Sequence, residues 1–497
     1  MTLKLCLSLM TVSFLWAATP SSAQTAAWHS AYYPENWTPE FRAEAGKFLH
    51  DFSYAGYHRG EKELPKVTGI AIDVTQDPYR ADPTGTKDST AAIQAALDAA
   101  AKAGGGIVLL PAGTYRVAPP TPESLVALHV AGNNIVLRGA GVDKTFIFND
   151  SVSMRGKRVI QVLPGEVSGA TLASNYWYKD NPPATTSLTA DISFPTTRLP
   201  VGDVSPFAVG DLVAVRSDVT QRFVDQLGMT GKWIPPGQDD KISKAGRYLL
   251  RGVLYCRRIV AIDPDHKELV IDVPTRFALL TADKARVVKL NDPMISEVGL
   301  EDFSIGMRQH PAPGWETIIP RLCPIPVKGD NMTHVDSPDW SEGAFDTTNT
   351  PAYAVHASYA IAFARAENCW MQRVHTYAPS GNTPGVHVLS NTLILAESRF
   401  VTVDSCDLKF PQYEGGGGNG YHFVMHGEEC LLRNCIAEGG RHNYDFVEMH
   451  TSGNVILDCT ARNGKLPSDF HMYFAAANLF DGTICDGDSL EANYRPF

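Results

Sequence analysis

The chain repeats itself near its C-terminus, and that repeat limits what it can fold into more than any other feature. HGEECLLRNCIAEGGRHNYDFVEM (426–449), HTSGNVILDCTARNGKLPSDFHMY (450–473) and FAAANLFDGTICDGDSLEANYR (474–495) align one above another. The interval from Cys435 to Cys459 recurs from Asp445 to Asp469, from Phe446 to Phe470 and from Asn454 to Asn478. Between them, short runs alternate apolar and polar residues and are bounded by Gly, Asn and Asp. Short strands separated by turn residues at such a period specify a solenoid of stacked β-coils. Each residue then lies over its partner one coil away, at the strand spacing of ~4.8 Å.

The expected architecture is all-β: one right-handed parallel β-helix over residues 70–497, with an N-terminal capping helix and an inserted β-hairpin region at about 200–290. Length would suggest several domains for 497 residues, but a solenoid escapes that rule because each coil touches only its neighbours. The insertion carries a long loop, Thr220 to Arg247, with Trp233, and a second loop at 308–352 carries Trp315 and Trp340. Residues 24–69, with Trp28, Tyr32, Tyr33 and Trp37, read as a strap along the outside or as a wall of a binding groove. Residues 1–23 read as a signal peptide: Lys4, the apolar run Leu5 to Ala18, and a small-residue cleavage site at Ser21-Ser22-Ala23. A secreted or periplasmic location is therefore expected. No later run approaches the ~20 apolar residues of a membrane span, so no membrane partner is expected. The formal net charge of −11 argues against nucleic acid as a partner. Of nine cysteines, Cys6 lies in the signal. Cys406, Cys435 and Cys459 occupy the same point of successive coils, so buried free thiols are expected in preference to disulfides.

Ser89 or Asp88 can cap a helix whose Ile93, Leu97 and Ala100 share one face, and Gly104 to Gly106 ends it. A solenoid's open end needs such a cover. Asp82-Pro83-Thr84-Gly85, the run Asp88 to Ala96, Gly104-Gly105-Gly106 and Leu110-Pro111-Ala112-Gly113-Thr114-Tyr115 resemble the opening segment of the pectate lyase-like superfamily. The resemblance implies a right-handed parallel β-helix acting on extracellular polysaccharide. It implies no one reaction, because lyases, hydrolases, epimerases and phage tailspikes share this opening. The carboxylate pattern of polygalacturonases is absent, Asp239-Asp240 lying in the inserted loop, and so is the Asp-Pro-His-Glu signature of alginate epimerases.

The period itself picks out a surface. GYHFVMH (420–426), NYDFVEMH (443–450) and SDFHMYF (468–474) share one strand position, beside the glycine-rich loop Glu414 to Gly420. The candidate catalytic residues are His442, His471, Asp445, Asp469, Tyr444 and Arg441; the candidate substrate-binding residues are His422, Lys465, Tyr473 and His387. A concentration of titratable groups of this kind marks a site, although a structural ladder of Asp and His is the plainer alternative. In a lyase acting on a uronic-acid polysaccharide, a base removes the proton beside the carboxylate, a cation or donor neutralises that carboxylate, and an acid protonates the leaving oxygen. His442 or His471 suits the base, Arg441 or Lys465 the neutraliser, and Tyr444 or Tyr473 the acid. A glycoside hydrolase would instead use an Asp or Glu pair, with Asp404 or Glu448 as further candidates. A non-catalytic polysaccharide binder is the third reading. No cofactor is expected. Ca²⁺ is the ion the aspartate pair would admit, and zinc is not expected because His426 and His450 lack a third ligand at metal spacing.

Overall fold

The computed structural model describes residues 29–69, 71–172, 176–178, 182–236, 251–312, 345–471 and 473–492. The signal reading over 1–23, Trp28, Asp239-Asp240, Trp315 and Trp340 lie outside the described residues. No described helix is long and apolar enough to cross a membrane.

The structure is the expected right-handed parallel β-helix, with two parallel sheets of sixteen and ten strands along the stack. On the larger sheet Trp370 pairs with Thr402, Thr402 with Leu431, Leu431 with Val455 and Val455 with Leu479. The interval between partners shortens from coil to coil and becomes constant only from Leu431 onward, so the strict period belongs to the last coils alone. The corners explain the turn residues. Glu429, Gly453 and Ala477 stack at one corner, Asn434, Asp458 and Gly482 at a second, and Gly439, Asn463 and Gly487 at a third, all with positive φ. That left-handed conformation costs an ordinary L-residue about 1–2 kcal/mol, which favours Gly, Asn and Asp.

Inside, like stacks on like. Phe446 lies on Phe470 with ring centroids 5.0 Å apart, and Phe423 lies on Tyr444 at 5.1 Å. Asn454 Nδ2 donates to Asn478 Oδ1 at 2.9 Å. The seven described cysteines are free, and all but Cys485 are buried. The helix Thr90–Lys102 covers the first coil and buries Ile93, Ala96, Leu97 and Ala100. Asp88 rather than Ser89 serves its first turn, accepting from the Thr90 N–H at 2.7 Å. Ser89 Oγ accepts instead from the Asp82 N–H.

Residues 29–51 form a unit of their own, with one 3₁₀ turn at Glu44–Gly46. Tyr32 and Tyr33 are exposed there and are not buried anchors. From Phe52 the chain straps along the larger sheet: Gly56 N–H donates to Glu429 O, and Tyr57 N–H to Thr402 Oγ1, each at 2.8 Å.

The insertion is a six-stranded antiparallel sheet that begins at Thr185–Ser187, earlier than the sequence boundary of 200. It has its own core around Val213, Phe223, Tyr255 and Leu269. Buried ion pairs join it to the coils. Arg257 reaches Glu428 at 2.7 Å and Glu429 at 3.2 Å, Arg276 reaches Glu429 at 2.5 Å, and Arg399 crosses from the coils to Asp272. No repeat announces this network, because each pair joins a coil to chain outside the register.

Candidate active site

The smaller sheet carries a ladder that changes character along the stack. Ala362, Ile394, Val424, Asp445, Asp469 and Glu491 are successive partners, apolar through the first three coils and acidic in the last three. The register expected of Asp445 and Asp469 is the one found. Over the ladder's middle lies a cavity of about 250 Å³, lined by Tyr359, Ile394, Tyr421, Val424, His426, Asp445, Glu448 and His471. Gly417 and Gly418 roof it. The roof is tied down: Asn419 Oδ1 accepts from Ala357 N–H and Ser390 Oγ, each at 2.9 Å, and Asn391 Nδ2 donates to Gly418 O at 3.0 Å.

At one end of the cavity His442, Asp469 and His471 form a trio. His471 follows Asp469 at the next position on the same strand face, and its Nδ1 lies 3.2 Å from Asp469 Oδ2. A carboxylate only accepts, so Nδ1 carries the proton, which leaves Nε2 the basic nitrogen of a ring that lines the cavity. Burial opposes the charge on Asp469, but the neighbouring imidazoles and a hydrogen bond from Asp445 outweigh it and hold the carboxyl below its ordinary range. His442 Nδ1 donates to Pro467 O at 2.6 Å and lies 3.5 Å from Asp469 Oδ1. Burial pushes His442 down to about 3, so it is neutral at pH 7. His471, at the cavity surface, is therefore the partner we hold responsible for keeping Asp469 ionised. Two imidazoles and few oxygens make this a poor set for Ca²⁺, which takes 6–8 oxygen ligands.

Several sequence candidates fall elsewhere, each for a physical reason. Tyr444 faces the core, stacked on Phe423, and its hydroxyl donates to Thr460 O at 3.1 Å, because alternation turns it away from Asp445. His422 is fully buried at the strand's first corner, between Thr392 Oγ1 and Glu438 O. Tyr473 belongs to the insertion's core, 5.5 Å from the Trp233 ring. His387 sits upstream at an edge against Phe410, with Nδ1 on Thr376 Oγ1. Arg441 does not line the cavity; it donates to Tyr421 Oη at 3.2 Å, behind the wall. Lys465 is half-buried and does not line the cavity either. Asp404 pairs with Arg433 on the other sheet. The cavity tyrosines are Tyr421 and Tyr359, and burial pushes Tyr359 up to about 12. Tyr421 pairs with His442 across a coil shorter than the repeat, so the alignment of equal periods passed it over.

At the other end, His426, Glu448 and His450 form a second buried trio. Glu448 is the third group that His426 and His450 lacked in the sequence. It stands at a corner with φ of +71°, which swings its carboxylate back between the two rings.

Fold and site together describe a β-helix with a partly roofed cavity on one sheet, where imidazoles and carboxylates stand among apolar side chains. Residues 73–181 match the family model "Rhamnogalacturonase A/epimerase, pectate lyase-like", so the likeness expected from the opening segment is found over that part of the chain. Over 63 residues the chain is 52% identical to mannuronan C5-epimerase AlgE3 and 51% identical to alginate lyase 7, both of Azotobacter vinelandii. Those matches span 13% of this chain and only 3% and 7% of the two proteins. Among solved structures, the tailspike gp61 of Pseudomonas phage phi297 is similar over 83% of this chain and 56% of its own, with 11% identity and a TM-score of 0.46. An iota-carrageenase complexed to iota-carrageenan fragments is similar over 85% of this chain and 54% of its own, with 8% identity and a TM-score of 0.36.

Proposed function

We propose that this is an exported enzyme acting on a uronic-acid-containing polysaccharide, and that it cleaves by β-elimination. The observation that carries the reading is the Asp469–His471 pair at the cavity wall. Asp469 fixes the imidazole with Nδ1–H turned inward, and Nε2 takes the proton beside the sugar carboxylate. The electron pair left behind forms the new double bond as the glycosidic C–O bond breaks. The departing oxygen takes a proton from Tyr421, whose oxygen already accepts from Arg441, or from Tyr359, which burial keeps protonated. The same first step, removal of the proton at C5, would open a C5-epimerisation. That fits the partial likeness to both an alginate lyase and C5-epimerases.

A second reading has one observation in its favour: Asp445 and Glu448 both line the cavity, as a hydrolase's carboxylate pair would. Incubation with a panel of uronic-acid polymers separates the two. Elimination gives an unsaturated product with ultraviolet absorbance. New reducing ends without that absorbance would establish the hydrolase instead, and neither signal on any polymer would leave a binder.

A further inference from the structure

We propose that His426, Glu448 and His450 form a binding site for one divalent transition-metal ion of the zinc class, with its fourth position open to the cavity. The proposal goes beyond the elimination reading and stands or falls apart from it.

The geometry begins with hydrogen-bond accounting. His450 Nε2 lies 3.3 Å from His426 O. A carbonyl oxygen cannot donate, so that nitrogen carries the ring proton and Nδ1 presents a lone pair. His450 Nδ1 and His426 Nε2 are both buried and have no hydrogen-bond partner among the described residues. Both are aimed at the same atom, Glu448 Oε2, at 3.8 Å and 3.4 Å. The lone pair on His450 Nδ1, facing a carboxylate oxygen in a dry site, is repulsive unless a cation lies between them. The spacing is wide for a hydrogen bond, whose N–H···O mode is about 2.9 Å. It suits two ligands of one ion: bonds of ~2.1 Å at a tetrahedral angle put ligand atoms about 3.4 Å apart. Two imidazoles and one carboxylate are a donor set for zinc-class ions and a poor one for Ca²⁺ or Mg²⁺.

The surroundings fit a held ion. The two histidine rings lie 4.5 Å apart, and the edges of Trp177 and Tyr178 close over His450 at 5.3 Å and 5.8 Å. Trp177 is itself fixed, its backbone N–H donating to Glu397 Oε1 at 3.1 Å. The hydrogen bond from His450 to a backbone carbonyl is the kind of support that orients metal-bound imidazoles. His426 and Glu448 line the cavity while His450 does not, so the open position faces the space that also holds Asp445 and His471. A water or a sugar oxygen is the ligand of matching chemistry.

The test uses the full chain, stripped with a chelator and then titrated with zinc chloride by calorimetry, with metal content measured by mass spectrometry. One ion per chain is expected, together with a rise in melting temperature and, with cobalt chloride as the probe, the visible bands of a tetrahedral site. Glu448→Gln, which keeps the side chain's shape, should weaken binding by more than about a hundredfold, since loss of an outer partner alone costs 10–100-fold. His450→Ala should do the same, and Glu448→Gln keeps the test alive if His450→Ala does not fold. His471→Ala should bind zinc as the wild type does. Absence of stoichiometric binding would overturn the site, as would unchanged binding by Glu448→Gln. Loss of the ion in His471→Ala instead would place it in the other trio. Activity enters none of these readouts, so failure of the elimination reading cannot be mistaken for failure of the metal site.

Discussion

Two trios of two imidazoles and one carboxylate stand at the ends of one cavity, drawn from the same few coils, and their surroundings set them to different work. In His442–Asp469–His471 the carboxylate takes a hydrogen bond from an imidazole that reaches the cavity surface, its side chain 17% exposed. In His426–Glu448–His450 every group is buried and the nitrogens face the carboxylate at 3.4 and 3.8 Å without a hydrogen bond. What differs is the cover. The first trio lies beneath a glycine roof, whereas Trp177 and Tyr178, on the approach to the insertion, close over the second. The coils supply positions in register, and chain from outside the register decides which of them meet water.

The largest expected effect tests the first half of that contrast. His471→Ala should lower turnover by 10²–10⁴-fold, up to about 5 kcal/mol of barrier, while its partly exposed position keeps the melting temperature close to wild type. An active variant would move the base elsewhere and erase the distinction between the trios. The next effect tests the cover. Arg257→Ala leaves Glu428 buried without its ion-pair partner and Glu429 with Arg276 alone, which should cost about 3–5 kcal/mol of stability in chemical denaturation. A loss below about 1 kcal/mol would show that the ion pairs do not hold the insertion over the second trio.

The legibility of the two regions differs in the same way. Asp445 over Asp469, His471 beside Asp469, and the phenylalanine, asparagine and cysteine ladders were all readable, because a strict period converts position into contact. Tyr421 was missed because its coil is shorter than those that follow, and Tyr444 was misplaced because strand alternation, not proximity in sequence, decides which way a side chain faces. Glu448 was read only as a further hydrolase carboxylate. Its pairing with His426 and His450 depends on a left-handed corner that an acidic residue does not advertise. The Arg257 network and the placing of Tyr473 in the insertion's core join segments far apart in the chain, with no repeat to connect them.

A smaller effect is expected at the roof over the first trio. Gly417 has φ of +75°, and a Cβ there would meet the Phe345 ring at 2.7–2.9 Å. Gly417→Ala should cost about 1–2 kcal/mol locally and raise KM more than it lowers kcat. An unchanged KM would mean the substrate does not pass beneath that loop.

The smallest effect divides the first trio within itself. His442 is buried and held to about 3, against an ordinary value near 6.5. A histidine whose folded value is depressed contributes full stability above 6.5 and loses it as pH falls, because the unfolded chain takes up a proton that the folded one refuses. The loss should be about 1 kcal/mol between pH 6.5 and 5.5. His442→Asn keeps a donor for Pro467 O and removes the titration, so its stability should fall less than the wild type's across that window. Asp469 does not blur the result, since a carboxyl held low loses its contribution only below the usual carboxylate range. Glu414 acts the other way: burial raises it to about 8, so it favours folding as pH falls from 8 toward its ordinary value. The readout is therefore the difference between variant and wild type at each pH, in which Glu414 cancels. Parallel curves would mean that His442 is charged in the folded protein, and the division of the trio into a neutral support and a working base would fail.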